Sequence, residues 1–94
     1  MIRHMVFFSA KDKRELPAIM AGLEQLGKIP EAKNFSVREN LKQDGIGNDI
    51  DVVVYAEFES ANALSAYKQN TLYQDTIRIV RPLRELRFCA DVEV

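Results

Sequence analysis

An α+β fold in the order strand, helix, strand, strand, helix, strand is predicted, the ferredoxin-like βαββαβ arrangement with a four-stranded antiparallel sheet. Three observations predict it. The stretches IRHMVFF (residues 2–8) and DVVVYAEF (residues 51–58) are apolar on both parities of a two-residue repeat, so each has two faces to bury and belongs mid-sheet. The runs FSVREN and RELRFCADVEV instead alternate apolar with polar residues, the pattern of edge strands with one wet face. Helical periodicity fills the two intervals where this topology needs crossovers.

In chain order, the first strand places Ile2, His4, Val6 and Phe8 on one face and Met5 and Phe7, beside Arg3, on the other. SAKDKRE then leads into a helix whose apolar stripe is Leu16, Ile19, Met20, Leu23 and Leu26. Asp12 and Glu15 have capping-box spacing, but Pro17 fits only a first turn, which moves the start a few residues on. Gly27 and Pro30 end the helix. The second strand sets Phe35, Val37 and Leu41 on one side against Ser36, Arg38 and Asn40. The loop 42–51, KQDGIGNDID, holds the turn formers Gly45, Gly47 and Asn48 and joins the second and third strands as a hairpin. Its acids Asp44, Asp49 and Asp51 lack the ligand alternation and terminal Glu of a calcium loop, so they read as a solvated turn.

In the third strand Val52, Val54, Ala56 and Phe58 share one parity, with Val53 and Tyr55 on the other. Ser60 suits the N-cap of a helix through Ala63, Leu64 and Tyr67. A break at Asn70 and Thr71 restarts it with Leu72, Tyr73, Ile77 and Val80 until Pro82. The last strand alternates Leu86, Phe88, Ala90, Val92 and Val94 against Arg87, Cys89, Asp91 and Glu93.

The 94 residues suit one domain, 1–94, and a 47% hydrophobic content permits a core. A net charge of −1 offers no broad basic surface, which argues against nucleic acid as a partner. No apolar run approaches the roughly 18 residues of a membrane span, and MIRHMVFF does not read as a signal peptide. Cys89 is the single cysteine, so no internal disulfide is possible, and a cytoplasmic location is expected. One histidine, one cysteine and scattered acids give no metal-ligand spacing; neither metal nor cofactor is expected.

Both right-handed crossovers place their helices on the same side of the sheet. The other side is therefore expected to expose Met5, Phe7, Val53 and Tyr55, flanked by Arg38, Arg87 and Asp91. An apolar centre with a polar rim resembles an interface, so a homodimer with the two sheets facing each other is expected.

RHMVFF at the start, the helix ending in GKIPEA, the FESANALSAY segment and the VRPLRELRFCADVEV ending together resemble the stress-responsive A/B barrel family, also called the dimeric α+β barrel or Dabb domain, over nearly the whole chain. The resemblance implies dimers that share a β-barrel. The family includes a plant polyketide cyclase that closes a ring by an aldol-type reaction with a tyrosine and a histidine. By resemblance the tyrosine falls on Tyr67, and the histidine, last of an HPAH-like tetrad, falls on Tyr73, since the tetrad here reads Asn70, Thr71, Leu72, Tyr73. A pocket histidine of the third strand is replaced by Val52, whereas the first-strand histidine is kept as His4.

A pocket between sheet and helices is expected, lined by Val6, Phe8, Val52, Val54, Leu72 and Phe88, with His4, Tyr67 and Tyr73 as polar tips. It suits a small apolar or aromatic molecule. In the binding reading His4 is a core histidine with one ring nitrogen bonded nearby, and the tyrosines pack their rings. In the enzymatic reading a neutral His4 removes a proton while Tyr67, assisted by Tyr73, holds a developing oxyanion, as a cofactor-free lyase, cyclase or isomerase requires. A cofactor-independent monooxygenase is a third possibility, from related dimeric barrels. Cys89, assigned to the bare face, reads as packing, and Arg78, Arg81, Arg84 and Arg87 as a solvated series.

Overall fold

The computed structural model describes residues 1–94, in which four strands form one antiparallel sheet in the order β2-β3-β1-β4. The strands are β1 (Ile2–Ala10), β2 (Lys33–Glu39), β3 (Val52–Phe58) and β4 (Arg84–Glu93). The two strands apolar on both faces are the central pair, as their sequences require. Helices α1 (Leu16–Glu24), α2 (Ala61–Gln69) and α3 (Thr71–Val80) pack on one face. None is long and apolar enough to cross a membrane.

Local chemistry explains the element ends. Asp12 accepts the backbone N–H of Arg14 and caps a short 3₁₀ turn, Lys13–Glu15, after which Pro17 sits in the first turn of α1. A second 3₁₀ turn, Gln25–Lys28, follows α1 and brings Gly27 against Phe35; a Cβ there would meet that ring at 2.7 Å. Ser60 Oγ accepts the N–H of Ala63 at the start of α2. Asn70 separates α2 from α3, and its Oδ1 accepts the N–H of Leu72.

The second strand is shorter than its alternation suggests. Leu41, expected beside Phe35 and Val37, is 81% exposed and outside β2. Asn40 turns the chain first: its Nδ2 donates to Ile50 O at 2.8 Å and its Oδ1 accepts the N–H of Lys42, which has φ +56°.

The core lies between sheet and helices. Val6 and Phe8 of β1, Val52, Val54 and Phe58 of β3, Ile19 and Leu23 of α1, Tyr67 of α2 and Val80 of α3 are all buried there. On the opposite face Met5 is paired with Tyr55 and Phe7 with Val53, and all four remain half-buried with no helix above them.

The face adopted by β4 reverses the expectation. Phe88 pairs with Phe7, Ala90 with Met5 and Val92 with Arg3, whereas Arg87 pairs with Phe8, Cys89 with Val6 and Asp91 with His4. Opposed residues share a face, so Phe88 lies on the bare side and does not line the pocket. Arg87 and Asp91 lie toward the helices and do not flank the bare face, and Cys89 joins them. The expectation turned the apolar parity toward the helices because that side holds the core. At this edge the uncovered side takes the apolar residues: Phe88 is 57% and Val92 46% exposed. The unpartnered face is therefore more apolar than the sequence suggests.

Candidate functional site

The register of β1 with β4 builds the site. His4, central in the sheet and 1% exposed, faces Asp91 across the strand pair, and its Nδ1 lies 2.5 Å from Asp91 Oδ1. Two residues back on β4, on the same face, Cys89 Sγ is 3.6 Å from the same nitrogen and 3.8 Å from Asp91 Oδ2. Because an ionised carboxylate only accepts, this bond places the ring proton on Nδ1 and leaves Nε2 as the acceptor.

Aromatic rings enclose the imidazole. The Phe58 ring centroid is 5.8 Å away and that of Tyr67 6.1 Å, both nearly edge-on. Tyr67 in turn packs on Tyr73 with centroids 5.1 Å apart. Periodicity predicts this contact only in part: Tyr67 lies in the last turn of α2 and Tyr73 in the first turn of α3, and the break at Asn70 folds them together.

The electrostatics follow from burial. Desolvation pushes the His4 pKa below its ordinary 6.5, although the hydrogen bond and charge of Asp91 pull the other way, so the ring is neutral at pH 7. Desolvation raises the Tyr67 pKa, with Tyr73 adding to it, and its hydroxyl stays protonated as a donor. The Cys89 thiol is pushed up by the protein behind it and then by the negative charge of Asp91, so it is not an activated nucleophile.

A small cavity lies beside His4, lined by Val6, Phe8, Leu23, Val54, Tyr67, Tyr73, Ile77 and Arg87 among others. Its free volume is about 10 Å³, room for a single water. His4, Val6, Phe8, Val54, Tyr67 and Tyr73 thus meet at one cavity. Val52 is buried deeper, against Phe8, and Leu72 packs at the core margin; neither lines this space.

Sequence reasoning missed Asp91 and Cys89 as neighbours of His4, and Arg87 as a wall. Their two-residue spacing was visible; the strand face and register were not. It also misread Asp51, grouped with the solvated loop. Asp51 is 3% exposed and accepts from Ala10 N at 2.9 Å and from Lys13 Nζ and Lys42 Nζ, both at 2.6 Å. Burial alone would raise its pKa, but the two lysines and the Ala10 N–H outweigh that and hold it at about 2. This clamp fastens the hairpin loop to the end of β1.

Comparison with known proteins places these features in context. The family model described as Stress responsive A/B Barrel Domain (Dabb) matches residues 2–94. A Dabb family protein with a ferredoxin-like fold from Mesorhizobium loti MAFF303099 superposes with a TM-score of 0.84 at 19% identity, covering 99% of this chain and 95% of that one. A dimeric ferredoxin-like protein of unknown function from Thermobifida fusca YX gives 0.83 at 22% identity, over 99% and 90% of the two chains. The hydroxynitrile lyase from Passiflora edulis gives 0.83 at 18% identity, over 97% and 90%. No curated protein matches the chain.

Proposed function

The chain belongs to the stress-responsive A/B barrel family, and from that premise we propose that it is a homodimeric small-molecule protein whose His4–Asp91 pair moves a proton in a cofactor-free lyase or isomerase type of reaction. The observation that carries this reading is Asp91 on His4 Nδ1. A buried, neutral imidazole with one nitrogen held by a carboxylate has its other nitrogen fixed as a base, the orientation that proton abstraction needs. Tyr67, kept protonated by burial, is the donor suited to an oxygen that gains charge as the proton leaves. The apolar walls favour a small apolar or aromatic substrate.

Homodimerisation is supported by the bare apolar face that runs through Met5, Phe7, Val53, Tyr55 and Phe88, and by the dimeric description of the Thermobifida protein. The lyase type is supported by the likeness in fold to the Passiflora hydroxynitrile lyase. A molecule larger than water enters only if Tyr73, Ile77 and Arg87, the half-buried part of the wall, move outward.

The small size of the cavity and the satisfied ring nitrogen favour a second reading, in which His4 is a core residue and any molecule that the protein binds undergoes no chemistry. The test is a panel of small aromatic substrates, including a hydroxynitrile, offered to the wild-type chain and to His4→Gln, Asp91→Asn and Tyr67→Phe. Proton-transfer catalysis predicts a loss of about 10²–10⁴-fold for His4→Gln. Activity that survives this change at full rate overturns the enzymatic reading; ligand binding with no turnover in the wild type supports the second.

A further inference from the structure

His4, Cys89 and Asp91 present an imidazole nitrogen, a thiol sulfur and a carboxylate oxygen that all lie within 4.8 Å of one another. We propose that these three residues form a binding site for a divalent cation of the zinc class, with the fourth position of a tetrahedron left open. This goes beyond the proton-transfer reading and does not depend on it.

The donor set selects the ion. Magnesium and calcium prefer all-oxygen shells, whereas nitrogen, sulfur and oxygen together suit zinc, and three protein ligands with one open position is the usual form of a non-structural zinc site. Bond lengths near 2.3 Å to sulfur and about 2.05 Å to nitrogen or oxygen give tetrahedral edges of about 3.6 Å between sulfur and either lighter atom. The observed separations are 3.6 Å from Cys89 Sγ to His4 Nδ1 and 3.8 Å from Cys89 Sγ to Asp91 Oδ2. These two edges take Oδ2 as the oxygen ligand, so the hydrogen bond from His4 Nδ1 to the other oxygen, Oδ1 at 2.5 Å, must be given up as the carboxylate turns to set Oδ2 about 3.3 Å from Nδ1. Asp91 can do this, since its side chain is 37% exposed on an edge strand.

The framework is stiff where it needs to be. His4 is locked in the central strand, and Cys89 and Asp91 are alternate residues of its hydrogen-bonded neighbour, so all three project from one face. A thiolate and a carboxylate balance the charge of the ion. Arg87 and Lys68 are the nearby cations and oppose it, which limits the expected affinity. Binding expels the Cys89 thiol proton to solvent and transfers the imidazole proton from Nδ1 to Nε2 through exchange with water, one proton released per ion. The occupied site therefore has no free imidazole nitrogen, so metal and base states of His4 exclude each other.

The test uses the full chain, freed of metal by chelation, titrated with Co²⁺ as a spectroscopic probe and with Zn²⁺. One ion per chain is expected, with a thiolate-to-cobalt charge-transfer band in the near ultraviolet. Cys89→Ser abolishes that band, and Asp91→Ala weakens zinc at least about tenfold. Both side chains are exposed, so both variants retain the wild-type circular dichroism, which is checked in parallel. Failure to retain stoichiometric zinc at micromolar concentration, unchanged zinc affinity in Cys89→Ser, or half an ion per chain, which signals a cysteine bridge between copies, overturns the site. The proton-transfer reading is judged separately, by the activity of metal-free protein.

Discussion

Asp91 stands directly across the β1–β4 pair from His4, and its carboxylate holds the Nδ1 of a ring that is otherwise enclosed by Phe58 and Tyr67. One edge-strand residue thus sets the tautomer of the chain's only histidine, while burial, against the pull of that carboxylate, keeps the ring neutral.

Replacing Asp91 by Asn removes the charge that raises the His4 pKa and weakens the hydrogen bond, since a neutral amide oxygen accepts less strongly from Nδ1–H, and leaves the desolvation that lowers it. The His4 titration midpoint, followed by the imidazole carbon-bound protons in NMR, should move further down in Asp91→Asn. A midpoint that stays put or rises would show that the carboxylate does not hold this ring in solution.

The depressed His4 pKa also makes stability pH-dependent. The unfolded chain takes up a proton near 6.5 and the folded chain only at lower pH, so this contribution is complete above the unfolded value and is lost as pH falls through the folded one. Urea midpoints measured between pH 7.5 and 5 should decline, and His4→Gln should flatten that slope.

Asp51 governs the acid limb below that range. Its pKa falls from an ordinary 3.8 to about 2, worth roughly 2 kcal/mol of stability that is present above the unfolded value and disappears as pH drops through the folded one. Asp51→Ala should cost about 2–3 kcal/mol at pH 7, because it strands the buried Ala10 N–H while the two lysines, 58% and 40% exposed, regain water. Chemical denaturation at pH 7 and pH 2.5 checks both parts: the mutant deficit should shrink in acid.

The bare face makes the clearest assembly prediction. Phe88 is more than half exposed in the single chain, so Phe88→Glu should leave the fold intact while placing a charge opposite Phe7 at the centre of the patch. Native mass spectrometry should find twice the chain mass for the wild type at micromolar concentration and one chain mass for the variant. A wild-type monomer would remove the basis for the facing-sheet dimer.

Gly27 is required by contact, since any Cβ there collides with the Phe35 ring. Gly27→Ala should destabilise by about 1–3 kcal/mol, and a smaller side chain in Phe35→Leu should recover part of that in the double variant. Thermal unfolding of the four proteins decides it.

Much of the architecture was legible in the chain itself. Two strands apolar on both parities had to be central, and the two interrupted helical patterns had to cross over on one side, because period and topology leave no other consistent arrangement. His4, Tyr67 and Tyr73 were recognisable as the polar members of one apolar layer for the same reason. What alternation could not state is which parity of β4 looks inward. An edge strand outside the helical cover has no core to choose for it, and the choice is made by the hydrogen-bond register with β1. That register sends Phe88 to the uncovered face and brings Asp91, Cys89 and Arg87 to His4, from the far end of the sequence. Asp51 was hidden for a related reason: turn composition shows where the chain reverses, but only the packed structure brings the amines of Lys13 and Lys42 onto one buried carboxylate. Side-chain patterns repeat locally and so determine elements and layers, whereas a site assembled from residues nearly ninety positions apart exists only once the strands have paired.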